Sequence, residues 1–285
     1  GDHAMHRAHL LVIDPQNDFC DLPADWCPPD PVGARRLAPA LAVAGAHQDM
    51  LRLAAWLDAH RERIDRVTVT MDHHHRLDIA HPGFWRKPDG AVVAPFTPVT
   101  AADLAEGRIL TALPRDRDRA IGYLQDLEKV GRFTHMVWPV HCQIGTWGQA
   151  VHARLRQALD AWSDLKGCEV DHVLKGENPW TEHYSAIRAE IPVDDDPATD
   201  WNLALVRNLG DAEIVFVAGE AGSHCVRATV EHLVEAGQEP DKVVLLSEAI
   251  SPVGGFEAVQ EAFFQDMARR GVRILPMDRA ARLVG

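Results

Sequence analysis

Six short runs of almost unbroken apolar, often β-branched residues recur along the chain, at 9–13, 67–71, 172–174, 214–218, 243–246 and 272–275. Runs this short, apolar at nearly every position, read as strands of a parallel sheet buried on both faces. Between them, apolar residues return with helical spacing. Residues 48–61 carry Met50, Leu51, Leu53, Ala54 and Leu57 on one side, and 148–162 carry Ala150, Val151, Leu155, Ala158, Leu159 and Trp162. Residues 225–236 and 256–270 repeat the pattern and are closed by Gly237 and Gly271, as helix ends often are. Alternation over 285 residues predicts a single domain, three-layer α-β-α, on a mostly parallel, doubly wound sheet. One segment departs from the rhythm. Residues 83–135 are rich in proline and charge and predict a long insertion with no convincing strand, helical near 117–130.

Composition narrows the partners. The formal charge of −13 is scattered rather than blocked, which argues against nucleic acid and anionic membrane surfaces. No apolar run approaches the length of a membrane span, and no stretch reads as a secretory signal. Residues 1–5 read as an expression scar and are set aside. Five cysteines, an odd number without framework spacing, point to a reducing cytoplasm. A small molecule is the expected partner, and a homo-oligomer is compatible with everything above.

In an open α/β sheet the ligand crevice lies beyond the carboxyl ends of the strands. Asp14, Asp72 and Lys175 each stand at or just past such an end, and Cys225 lies in the turn entering a helix. Neighbouring strands run about 4.8 Å apart, so the four side chains can converge on one pocket. A helix N-terminus and a nearby ammonium both favour the thiolate of Cys225. The glycine-bearing turn 219–223 offers backbone N–H groups as an oxyanion hole. Position alone also allows a buried, inert cysteine there, and Cys20, Cys27, Cys142 and Cys168 lack this setting altogether.

Asp72 and His74 are two apart and point the same way on an extended segment, a start to a divalent-metal site that His81 and His141 could complete. His73 and His75 read as solvated loop residues. The Asp-His-His string also evokes a phosphoesterase motif, whose other aspartate motifs are missing. The acidic run Asp194-Asp195-Asp196 ends in Pro197 without calcium-loop spacing and reads as a solvated turn.

Taken together these residues resemble a known family. Leu11-Val12-Ile13-Asp14-Pro15-Gln16-Asn17-Asp18-Phe19 resembles the opening strand of the isochorismatase-like cysteine hydrolases. Thr70-Met71-Asp72-His73-His74 resembles the metal motif of nicotinamidases, and Trp138-Pro139-Val140-His141-Cys142 is similar to another segment of the same enzymes. Lys175-Gly176 with Tyr184-Ser185-Ala186, and 218–226 around Cys225, resemble the lysine strand and the nucleophile turn. The resemblance implies a nicotinamidase that hydrolyses nicotinamide to nicotinate and ammonia through a cysteine thioester, with a place in NAD salvage. Asp14 would move the proton, Lys175 would hold the thiolate and Asp14 in register, and Cys225 would attack. Backbone N–H groups of Ala221 and Cys225 would hold the oxyanion, next to a cis peptide between Glu220 and Ala221. Asp72, His74 and His141 would bind a divalent metal, most simply Zn²⁺ with Fe²⁺ or Mn²⁺ as alternatives, and His81 is a candidate fourth ligand. Phe19 and Trp138 would flank the substrate ring.

The chain departs from the family pattern at Gly222-Ser223, where Thr-Asp is common, and in the stretched spacing across 83–135. Two other readings stand beside this one. A relative acting on an open-chain amide or ureide would usually lack the metal set. A non-catalytic binding protein on the same fold would be expected to lose Asp14, Lys175 or Cys225. Isochorismatase chemistry cleaves an ether without a cysteine.

Overall fold

In the computed structural model, which describes residues 6–285, the six apolar runs are six parallel strands. They are β1 (His6–Ile13), β2 (Arg66–Asp72), β3 (Asp171–Lys175), β4 (Ala212–Glu220), β5 (Val243–Ser251) and β6 (Arg273–Leu275). Every neighbouring pair is parallel, in the order β6-β5-β4-β1-β2-β3. The chain winds outward from β1 in one direction, then returns to wind outward from β4 in the other. Strand order therefore reverses between β1 and β4, and the ligand crevice of such a sheet opens beyond their carboxyl ends.

The side-chain period of two divides the core. Leu10 and Val12 of β1 pack with Val67, Val69 and Phe216 beneath the helices Ala46–His60 and Ala153–Lys166. Leu11 and Ile13 face the other way, with Val215, Val217 and Leu245, against the helices Leu203–Gly210, Cys225–Glu235 and Glu257–Arg269. All of these strand residues are at most 1% exposed, and each contributes roughly 1.5–3 kcal/mol of burial. The first helix layer is also pinned by indole N–H groups, Trp56 to the Met277 carbonyl and Trp162 to the Ile64 carbonyl, both at 2.9 Å. No helix among the described residues is long and apolar enough to cross a membrane.

Two elements differ from the sequence expectation. The helix predicted at 148–162 begins only at Ala153. Asn17 N–H donates to the Ala150 carbonyl at 2.9 Å and His152 N–H to Pro15 at 2.9 Å, which draws 150–152 into an extended link. Segment 83–135 contains the expected helix, Arg117–Val130, and also strands where none was predicted. Trp85–Arg86 pairs with Leu110–Thr111, and Thr97–Val99 pairs with His135–Val137, both antiparallel. Strands of two or three residues are too short to show a period. The segment builds its own small core around Phe84, Trp85, Leu104, Leu124 and Val137. Residues 1–5, set aside as a scar, lie outside the described residues.

Gly219 holds β1 and β4 together at the reversal. It has φ +122°, and a Cβ there would overlap the Ile13 carbonyl oxygen. Gly219→Ala should therefore lower stability by more than about 2 kcal/mol in urea denaturation. A loss below about 0.5 kcal/mol, the ordinary surface value, would contradict this close approach.

Candidate active site

Asp14 is the first residue past β1, with φ +45°, and it is fully buried. Its N–H donates to the Thr70 carbonyl at 3.0 Å, while the Thr70 hydroxyl donates to Asp14 Oδ1 at 2.6 Å. Lys175, the last residue of β3, donates from Nζ to Asp14 Oδ2 at 2.8 Å, Asp72 Oδ1 at 2.6 Å and the His183 carbonyl at 3.2 Å. Cys225 Sγ lies at 3.6 Å from the same nitrogen. An ammonium has three hydrogens, so the sulfur is the loosest of its four neighbours.

Charge in this cluster is unbalanced toward the negative. Burial alone would lower the pKa of Lys175, but Asp14 and Asp72 outweigh it and hold it well above the usual lysine range. Burial pushes the Cys225 thiol well up, and Asp14 and Asp72 add to that against Lys175. Burial also raises Asp14, with Lys175 opposing and Asp72 adding. Cys225 does begin a helix, Cys225–Glu235, and does face an ammonium, as the sequence predicts. Desolvation and the two carboxylates nonetheless outweigh those two effects and push the sulfur toward the thiol.

Asp72 ends β2, and its Oδ2 faces His74 Nε2 at 3.3 Å and His141 Nε2 at 3.6 Å. These three residues offer ligand atoms within 4.8 Å of one another. His74 Nδ1 donates to the Gly176 carbonyl at 2.9 Å and His141 Nδ1 to the Pro139 carbonyl at 2.8 Å. Both bonds fix the tautomer that leaves a lone pair on Nε2, the arrangement metal-bound imidazoles require. Gly176, at φ +92°, admits the His74 ring, since a Cβ there would stand 2.5 Å from Cε1. His74 Nε2 is buried without a hydrogen-bond partner. Burial would lower the pKa of His74, but Asp72, Asp78 and Glu182 raise it to about 10, so the pocket demands a positive charge. A carboxylate, two oriented imidazoles and that demand fit a divalent cation. His81 is adjacent but turned aside, its Nε2 3.3 Å from His141 Nδ1, and it is not one of the three converging residues. His75 is exposed, and His73 accepts from Gln149 Nε2 at 3.1 Å.

A narrow cleft with about 30 Å³ of open space is lined by Cys225, Asp72 and His141 together with Phe19 and Trp138. Glu182, Tyr184 and His224 line it as well, without having been assigned a role from sequence. Tyr184 could have been found, since it stands in a motif already singled out; its hydroxyl accepts from Trp138 Nε1 at 3.1 Å. Glu182 carried no local signal, although burial raises its carboxyl to about 8. The Glu220–Ala221 peptide is cis. Among the described residues neither the Ala221 nor the Cys225 N–H has a protein acceptor, so both remain available to a ligand. Cys20 and Cys142 are fully buried, with thiols pushed well up by desolvation, and Cys27 and Cys168 lie outside the cleft lining.

The Gln16-Asn17-Asp18 string has a scaffolding place. Gln16 exchanges two bonds with the Asp72 backbone, both at 2.8 Å, and Asp18 Oδ2 accepts from Cys142 N–H at 2.7 Å. Gln16→Ala would leave the buried Asp72 N–H and C=O unpaired and should cost about 2 kcal/mol or more. Denaturation curves showing under about 0.5 kcal/mol would mean that water replaces the amide.

No protein-family model matches the chain, and no curated protein matches it. Solved structures do. The yeast nicotinamidase bound to the inhibitor nicotinaldehyde aligns at TM-score 0.61 and 18% identity, covering 94% of this chain and 99% of the other. The pyrazinamidase of Pyrococcus horikoshii in complex with zinc aligns at 0.53 and 19%, over 95% and 99%. An isochorismatase-like hydrolase from Alkaliphilus metalliredigens aligns at 0.52 and 16%, over 97% and 98%. The chain thus has the isochorismatase-like fold over nearly all of its length.

Proposed function

We propose that the protein is a metal-containing cysteine amidohydrolase that converts nicotinamide and water to nicotinate and ammonia. The observation that carries this reading is an aromatic-walled cleft lined by Cys225, Asp72 and His141, with Lys175 and Asp14 bonded beside the cysteine and His74 beside Asp72. Similarity of fold to enzymes described as nicotinamidases supports it.

Asp14 takes the thiol proton as Cys225 Sγ attacks the carboxamide carbon. Lys175, held by Asp14 and Asp72, keeps the sulfur and the carboxyl in register. The tetrahedral oxyanion accepts from the N–H groups of Ala221 and Cys225, donors otherwise unused. Asp14 returns its proton to the leaving nitrogen, the C–N bond breaks, and ammonia departs from a thioester. A water, deprotonated by Asp14, attacks the thioester carbon, and the C–S bond breaks to give the acid and the thiol. Asp72, His74 and His141 would hold the ion, which supplies a Lewis-acidic point to orient the substrate; Zn²⁺ suits the donor set and is present in the pyrazinamidase of similar fold. His81 is the candidate for a further position. Phe19 and Trp138 would flank the ring.

Cys225→Ala should retain less than about a hundredth of kcat with unchanged denaturation, and adding Asp14→Asn should cost little more, because groups acting as a unit are not additive. A double variant losing the product of both effects would break up the unit. His74→Ala should lose metal and activity together; it is a cleaner test than Asp72→Ala, because Asp72 also holds Lys175. Metal analysis showing a full ion in His74→Ala would remove the ligand assignment. Ammonia release from nicotinamide should exceed that from benzamide at least tenfold in kcat/KM, about 1.4 kcal/mol. Equal rates would remove a role for the ring nitrogen, and preference for a short aliphatic amide would favour an open-chain hydrolase.

A further inference from the structure

Glu220, the last residue of β4, carries a carboxyl that the steps above do not use. The residue is 1% exposed, and Asp49 of the helix Ala46–His60 stands within hydrogen-bonding range of its side chain. Glu220 Oε2 accepts from the Ser251 N–H at 3.1 Å. Oε1 is buried without a hydrogen-bond partner among the described residues. An ionised carboxylate offers about four acceptor sites, so a buried one met by a single donor would be left largely uncompensated.

The charged groups around it oppose ionisation further. Asp49 already has donors of its own, Arg52 Nη2 on Oδ1 at 3.0 Å and the Ser251 hydroxyl on Oδ2 at 2.6 Å. The Arg52 guanidinium thus meets Asp49 rather than Glu220. Asp21, in the loop after β1, is a second carboxylate nearby and accepts from the N–H groups of Gly45 and His47. Cys20 lies on the same side, its thiol raised by burial and by Glu220, Asp21 and Asp49. Burial, with Asp49 and Asp21, pushes the Glu220 carboxyl well above the usual carboxylate range, against the one bond from Ser251. A neutral acid satisfies these contacts: its hydroxyl donates to Asp49, and its carbonyl oxygen accepts from Ser251.

Ser251 joins this carboxyl pair to the turn before Cys225. It ends β5 and is the register partner of Glu220. Its N–H goes to the Glu220 carboxyl and its hydroxyl to Asp49, while its carbonyl accepts from the Gly222 N–H at 3.0 Å. Ala221 therefore lies between two residues that are both bonded to Ser251. The Ala221 carbonyl accepts from the His224 and Val226 N–H groups, each at 3.0 Å, which ties the same turn to the helix of Cys225.

Resting on the amidohydrolase reading, we propose that Glu220 is a positioning residue: as a neutral acid bonded to Asp49 and Ser251, it fixes the turn that aims the Ala221 N–H at the oxyanion. It acts through that turn and not on the substrate.

The test compares the metal-loaded protein with Glu220→Gln and Glu220→Met. Glutamine can donate to Asp49 and accept from Ser251 as the neutral acid does, whereas methionine keeps the bulk and loses both bonds. The infrared difference spectrum between the unaltered protein and Glu220→Gln at neutral pH should contain the C=O stretch of a protonated carboxylic acid. Carboxylate bands in its place would overturn the neutral acid. Backbone hydrogen exchange across 220–226 should be at least about tenfold faster in Glu220→Met and near the unaltered rate in Glu220→Gln. With nicotinamide, Glu220→Met should lower kcat at least about tenfold with KM within about twofold, part of the loss that removing an oxyanion donor causes. Glu220→Gln should bring kcat back to within about threefold of the unaltered protein. An unchanged kcat in Glu220→Met, or a rise in KM alone, would overturn the proposal, as would a glutamine variant as impaired as the methionine one. Should Glu220→Met not fold, the infrared spectrum and the kcat of Glu220→Gln decide by themselves. If the unaltered protein hydrolyses no amide, the amidohydrolase reading falls instead, and the infrared and exchange results still decide whether Glu220 is the neutral clamp of the turn.

Discussion

The Lys175 ammonium, sealed between Asp14 and Asp72, is the interaction on which the rest of the site depends. Taking three charged groups out of water costs several kcal/mol per ion, and only close, hydrogen-bonded contact offsets it. That contact exists because β1, β2 and β3 are adjacent and end together: Asp72 and Lys175 are register partners, and Asp14 follows Ile13, the partner of Thr70. A sheet spaced at about 4.8 Å places such ends within reach of one four-carbon side chain. Strand order, not local sequence, creates the cluster.

Asp72 belongs to two groups at once. One oxygen meets Lys175, the other faces His74 and His141. Any change of charge at the imidazoles is therefore felt at the ammonium, and through it at Asp14 and Cys225. The buried negative surplus explains why His74 is driven toward its cationic form. A divalent ion at the same place would meet that demand without protonating the ring, leaving Nε2 free to coordinate.

Much of this was legible beforehand. Each strand run was apolar throughout and bounded by a residue unlike it, so all six strands and the resulting layers could be read from sequence. The residues around Asp14, Asp72, Lys175 and Cys225 lay at strand ends and so could be brought together before any geometry was known. The short strands of 83–135 could not, because two or three residues carry no period. Nor could Glu182 and His224: a buried carboxyl and a neutral imidazole are recognised by what surrounds them, and their neighbours come from distant parts of the chain. The role of Gln16 was equally hidden, since an amide that bonds the backbone of Asp72 leaves no mark in composition or spacing.

The resting thiol bears on how the proposed reaction can run in so enclosed a cleft. A preformed thiolate would add an anion to a site that already holds two carboxylates against one ammonium. Moving the proton from Cys225 to Asp14 changes no net charge: one anion vanishes as another forms, within reach of the same Lys175. The burial that raises the thiol also raises Asp14, so the two are shifted in the same direction, and the cost of transfer depends on their difference. Desolvation thus acts on both partners of the transfer in the same direction, rather than on an isolated cysteine alone. The negative charge then passes to the substrate oxygen only as the C–S bond forms, where the unused N–H groups of Ala221 and Cys225 can receive it.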